Sequence, residues 1–235
     1  MPFVHTSKLL FGIVAALLAS LLVPVRSEFV LSLDKENLDK IVGGHNYVVV
    51  NFVERPWAGV EEWEELGDDF KNVPEVLIAR TVTQEQLNNH ELLSRYGLSS
   101  GSSVLLFPKG SIVPLRYEGE QTRLAIKQWT LSHVSPRFKE LLDSVKPFLQ
   151  KGDEERASMI SHAETLMEQL EGIFQEEAKF LITNLGLIAK KGTEFVQKEE
   201  ARLKGLLDNS ALNAQQRTNL ERRLELFRGW AKELM

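Results

Sequence analysis

The stretch Asn51-Phe52-Val53-Glu54-Arg55-Pro56-Trp57-Ala58-Gly59-Val60-Glu61 joins two different periodicities. Upstream of it, Tyr47 to Val53 is a continuous β-branched and aromatic run, the pattern of a strand buried on both faces. Downstream, Val60, Trp63, Leu66 and Phe70 recur at helical spacing. A buried strand therefore runs through a short loop into a helix. The acids Glu61-Glu62 and Glu64-Glu65 stand where a helix dipole favours negative charge, which describes a solvated face rather than a general acid–base pair.

Working outward, the same alternation continues on both sides. Phe29-Val30-Leu31 reads as a short strand, and Asp34 as the cap of a helix carrying Leu38, Ile41 and Val42 that ends at Gly43-Gly44. Val76 to Ala79 is a second buried strand, and Gln86 to Tyr96 a helix with Leu87, Leu92 and Leu93. Val104 to Phe107 and Val113 to Tyr117, joined by Pro108-Lys109-Gly110, read as a hairpin. A helix from Thr122 to His133 with Leu124, Ile126 and Trp129 closes the unit. The order β-α-β-α-β-α-β-β-α predicts an α/β sandwich around a mixed sheet over residues 28–135.

Past Pro136 the pattern is helical only. Ile160, Ala163, Met167, Leu170, Phe174, Ala178, Leu181, Leu185 and Ile188 form one apolar stripe; Met159, Leu166, Ile173, Phe180 and Leu187 form a second beside it. Two adjacent stripes make a face wide enough for a bundle, so residues 136–235 are expected to be an all-helical domain. A break is expected near Gly172, and N-caps at Thr193 and at Asn213, the latter with Gln216 as a capping box. Trp63, Trp129 and Trp230 sit at core spacing. The join at Ser135-Pro136 is short, which predicts neighbouring domains.

Composition removes whole classes of function. Among 235 residues there is no Cys, so disulfides, thiol nucleophiles, thiol–disulfide exchange and cysteine-ligated metals are excluded. The formal charge of −5 argues against a nucleic-acid partner. His45, His90, His133 and His162 show no metal-ligand spacing, no phosphate-loop pattern occurs, and no cofactor is expected. Met1–Lys8 carries one Lys and no acid, Leu9–Val23 is apolar, and Pro24-Val25-Arg26-Ser27 follows. That layout predicts a secretory signal peptide over residues 1–27, because the apolar run falls short of the roughly 20 residues a membrane span needs. No later segment is apolar enough to span.

With those residues in view, the chain resembles the thioredoxin fold of protein disulfide isomerases. In that family a buried strand runs into Pro-Trp-Cys-Gly-x-Cys; here Pro56-Trp57 and Gly59 match, while the two cysteines correspond to Ala58 and Glu61. The family's buried carboxylate corresponds to Asn51, and its cis-proline, counted back from Phe107, to Ser102. Tyr96-Gly97-Leu98 and Phe107-Pro108-Lys109-Gly110 extend the likeness. Exchange needs a thiolate, and neither a methyl group nor a carboxylate can replace one.

A cysteine-free domain of this kind followed by a helical one looks like the redox-inactive protein disulfide isomerase-like proteins of the Windbeutel / endoplasmic reticulum protein 29 type. Leu33-Asp34, Gln128-Trp129 and the segment from Phe180 to Leu207 carry that resemblance. It implies a non-catalytic chaperone or escort of the endoplasmic reticulum lumen that binds unfolded or partly folded secretory clients. It also implies a peptide-binding site at Pro56, Trp57 and Val60, and a homodimer contact at Asp34 with Leu33 and Leu38. The aromatic that precedes the proline in close relatives is Arg55 here. Asp34 as a plain helix cap and Trp57 as a packed loop anchor remain open beside those roles. The alternative is a secreted adaptor that recruits one folded partner through its helical domain. The tail Lys232-Glu233-Leu234-Met235 holds a Lys-Glu-Leu displaced by one residue from a terminal retention signal.

Overall fold

The computed structural model describes residues 29–55, 59–83, 89, 91–98, 102–208 and 211–235. The expected signal peptide over 1–27, Pro56, Trp57 and Ala58 of the decisive loop, and Leu87 and His90 lie outside the described residues.

The sheet is built around β2 (Tyr47–Val53), whose residues from Val48 onward are all buried. β2 pairs in parallel with β3 (Val76–Val82) and antiparallel with β4 (Ser103–Phe107). β1 (Val30–Ser32) adds in parallel to β3, and β5 (Leu115–Arg116) antiparallel to β4. The order β1-β3-β2-β4-β5 is the mixed sheet of a thioredoxin-like unit, with β2 flanked on both sides. Strand alternation divides its side chains between two cores. Val48, Val50, Phe52, Leu105 and Phe107 meet Leu33, Leu38, Leu92 and Leu98, which come from α1 (Leu38–Ile41), α3 (Glu91–Arg95) and their flanks. Val49, Ile78, Val104 and Leu106 meet Trp63, Leu66 and Phe70 of α2 (Val60–Phe70) and Leu124, Ile126 and Leu131 of α4 (Arg123–Val134).

The element order holds, but three pieces are shorter than their patterns. The first helix does not run from Asp34. Asp34 Oδ1 accepts from the backbone N–H groups of Glu36 and Asn37, both at 2.9 Å, and Asn37 Oδ1 accepts from Asp34 N–H at 2.8 Å. This reciprocal turn precedes the helix, as side chains that compete for nearby backbone groups tend to do. Of the helix expected over 86–96, the described part is Glu91–Arg95. The last strand shrinks because Pro114 has no N–H for a ladder. Ser111 Oγ instead donates to Val113 O and accepts from Val113 N–H, both at 3.1 Å, leaving Ile112 and Val113 69% and 71% exposed.

Beyond Ser135 every described element is helical: α5 (Pro136–Gln150), α6 (Asp153–Glu168), α7 (Gly172–Lys191), α8 (Glu194–Leu207) and α9 (Ala214–Glu233). Ser135 ends α4 and starts α5; its Oγ accepts from Phe138 N–H at 3.3 Å. The break near Gly172 is present: α6 stops at Glu168, and Gly172 takes φ +54°, a left-handed conformation that favours glycine. Asn213 forms the capping box with Gln216. Thr193 corrects an expectation. It occupies the position before α8, but its backbone is already helical and its side chain makes no cap bond, because the chain reverses through Gly192 at φ +79°. One apolar core runs from α2 and α4 across Ser135 to Phe138, Leu141, Leu226, Phe227 and Trp230. Trp63 and Trp230 are buried in it, while Trp129 is half-buried against Tyr117 and His133.

Candidate functional site

The mouth of the sheet lies where β2 and β3 end together. Thr83 N–H donates to Val53 O at 2.8 Å and Thr83 Oγ1 to the same oxygen at 3.2 Å, which pins the two strand ends. Arg80 Nη2 donates to the carbonyl of Arg55 at 3.2 Å, so the chain leaving β2 is held on the β3 side. α2 starts after Gly59, whose φ of +59° turns the chain into the helix without a capping side chain. Val60 is its first residue and half-buried; Glu61 and Glu62 occupy its first turn and are exposed. α2 is fastened underneath by Trp63, whose Nε1–H donates to Ala79 O of β3 at 2.9 Å.

Two positions that the resemblance singled out meet across this mouth. Asn51 of β2 lies opposite Val104 of β4 and is only 6% exposed. Ser102, just before β4, donates from Oγ to Asn51 Oδ1 at 2.9 Å. A neutral amide and a hydroxyl therefore occupy the place where the family would hold a buried carboxylate beside a proline. The pair carries no charge and offers no base. With Glu61 in the first turn of α2, the described part of the site holds oxygen and nitrogen groups without a thiol. Among the described residues no group of three or more metal-ligating side chains converges.

The remaining expected site residues fare unequally. Pro56 and Trp57 lie outside the described residues. Of the three assigned to a dimer contact, Leu33 is 4% exposed and Leu38 fully buried, both in the core between α1, α3 and the sheet. In the single chain both of these side chains face inward. Asp34 is half-buried, with its carboxylate engaged in the turn. Sequence reasoning missed Asn89. Its Oδ1 accepts from Lys35 N–H at 3.2 Å and its Nδ2 donates to Val82 O at 3.0 Å, tying the Asp34 turn to the end of β3. Nothing in the local pattern around Asn89 marks a bond to residues so distant in sequence.

Comparison with known proteins places this geometry. Residues 136–229 match the family described as endoplasmic reticulum protein ERp29, C-terminal domain. Protein disulfide isomerase-like 2-1 of Oryza sativa subsp. japonica is 28% identical over 192 residues, covering 72% of this chain and 51% of the relative. The probable protein disulfide-isomerase A6 of Medicago sativa is 31% identical over 193 residues, covering 71% and 51%. The chain thus spans about half the length of these curated relatives. The solution structure of the first thioredoxin domain of mouse protein disulfide-isomerase A4 is 21% identical with a TM-score of 0.38, covering 45% of this chain and 75% of that one. The family match at 136–229, the relatives named as disulfide isomerases and the cysteine-free thioredoxin-like sheet that precedes the matched segment together support a redox-inactive, ERp29/Windbeutel-type protein disulfide isomerase-like family for this chain.

Proposed function

We propose that this protein is a non-catalytic chaperone or escort of the endoplasmic reticulum lumen that assists folding and secretion by holding exposed peptide segments of client proteins. The observation that carries the reading is the mouth of α2, where Asn51 and Ser102 form a neutral pair in a chain that has no cysteine. Electron exchange has no carrier there, so what remains for the site is grip. Pro56, Trp57 and Val60 form the binding edge, since tryptophan gives a large contact area with a polar tip. A homodimer through the thioredoxin-like half presents two such edges, and Asp34 lies on the face that meets the partner. Relatives named as disulfide isomerases support a role in folding. Among the described residues no helix is long and apolar enough to cross a membrane.

The test pairs two assays on the purified chain. Insulin reduction should stay at the uncatalysed rate, while a varied array of unfolded peptides should be bound, with preference for aromatic-rich ones. Trp57→Ala should lower that binding about tenfold or more, as loss of an interface anchor does. A folded protein that captures nothing from the array would overturn the proposal.

A further inference from the structure

A buried ionic group lies between α2 and α4 of the first half and α7 and α9 of the second. Asp69 on α2 receives Arg123 of α4 in a two-pronged contact, Nε to Oδ2 at 2.8 Å and Nη2 to Oδ1 at 2.9 Å. Glu65 pairs with the same guanidinium. One turn along α4, Lys127 reaches both ways: its Nζ is 3.2 Å from Asp69 Oδ1 and 2.5 Å from Glu177 Oε1 on α7. Arg222 of α9 adds Nη2 at 2.7 Å from the same Glu177 oxygen while lying 3.8 Å over the Phe180 ring.

The burial separates this group from ordinary surface pairs. The Glu177 side chain is 1% exposed and that of Lys127 11%. Glu177 Oε2 is buried and has no partner among the described residues, so its charge depends on what Oε1 receives. A buried carboxylate of that kind is tolerated only while its cations stay in place. Three cations (Arg123, Lys127, Arg222) meet three acids (Glu65, Asp69, Glu177), and Lys127 is the one of the three that pairs directly with an acid of each half. Apart from this group the halves are joined by the single non-helical residue Ser135 between α4 and α5 and by the apolar core that Leu124 and Leu131 share with Phe138 and Phe227, which the open arrangement must part beyond the joint. Lys127 stands about two helical turns, ~12 Å, from that joint.

We infer that Lys127 is a clasp that holds the thioredoxin-like half against the helical half through Asp69 and Glu177, and that releasing it lets the halves swing about Ser135. The two halves then have two arrangements, one closed over the ionic group and one open, with Glu177 returned to water in the second. This inference is independent of peptide binding at the mouth of α2.

The absence of native cysteine makes the test direct, because cysteines introduced for spin labels are the only ones present. Lys40→Cys on α1 and Gln197→Cys on α8 place labels on exposed positions of the two halves. The full chain should give one narrow distance distribution. Lys127→Met should add a longer, broad component, shifting the closed-to-open ratio about a hundredfold, because it leaves Glu177 buried beside Arg222 alone. Lys232→Met breaks another pair between the halves, with Glu120, but both of those side chains are about half exposed, so the distribution should not change. If Lys127→Met does not fold, the near-isosteric Glu177→Gln decides the matter by the same longer component. A folded Lys127→Met or Glu177→Gln chain with an unchanged distribution would overturn the inference. So would a broad distribution in the unsubstituted labelled chain, or equal opening in Lys232→Met.

Discussion

Asn51→Asp is the smallest change that restores a charge to the mouth of α2, and its effect can be worked out from the structure. The side chain keeps its shape and can still accept the Ser102 hydroxyl at 2.9 Å. What changes is that a group 6% exposed can now ionise. A free aspartate titrates near 3.9; burial raises that value by about three units, and one hydroxyl donor returns about one, giving ~6 in the folded chain. For an acid with a raised folded value, stability falls as pH rises from the unfolded to the folded pKa and is flat above it. At 1.36 kcal/mol per unit the variant should be about 3 kcal/mol less stable than the parent at about pH 7.5, and only about 1 kcal/mol less at about pH 4.5. Urea unfolding followed by circular dichroism measures this as a midpoint deficit of about 1 M at the higher pH that more than halves at the lower one. Parallel curves for variant and parent at every pH would show that position 51 is wet, and would refute the burial of Asn51 in β2.

Three further outcomes follow from single contacts. Trp63→Phe keeps most of the apolar area but removes the bond to Ala79 O, so unfolding free energy should drop by about 1–3 kcal/mol; a loss below about 0.5 in urea titrations would mean that the indole does not fasten α2. Burial pushes Tyr117 up to about 12 from an ordinary value of 10.0, and its hydroxyl donates to Glu120 O at 2.7 Å. Phenolate absorbance should therefore show a late ionisation that Tyr117→Phe removes, with stability lost as pH rises from 10.0 towards 12. Burial also raises Glu225, against the pull of the Leu124 backbone bond and of Arg123 and Arg228. Glu225→Gln should thus raise the melting temperature at neutral pH by about 1 °C after solvent screening is allowed for, and leave it unchanged well below the ordinary value of 4.5; a lower melting temperature at neutral pH would reverse the sign argued for that site.

Much of the fold is visible in the chain because its strongest patterns have only one satisfactory burial. The run Tyr47–Val53 gives the observed strand to the residue, since six of its seven residues are apolar and they fall on both faces, which both need cover. Val60, Trp63, Leu66 and Phe70 give the observed helix for the matching reason. Short polar side chains are where pattern and structure part. Asp34 and Asn37 close on each other and shorten α1, and Pro114 with Ser111 cuts back β5. Leu33 and Leu38 pack in the core between α1, α3 and the sheet, as their apolar spacing implies. In the site, resemblance located Asn51 and Ser102 separately, but only folding shows that they bond to one another. Partners brought together from opposite halves, such as Lys127 and Glu177, leave no local trace: each is a charged residue on a helix until the helices pack.

Backbone chemical-shift mapping of a bound aromatic-rich peptide on isotope-labelled protein tests the central claim most directly. Grip at the mouth of α2 predicts that the largest shifts fall on residues 54–61, with smaller ones at Asn51 and Ser102, and that Trp57→Ala abolishes them at equal peptide concentration. Shifts confined to α6–α9, or a saturating peptide that moves none of residues 51–61, would contradict it.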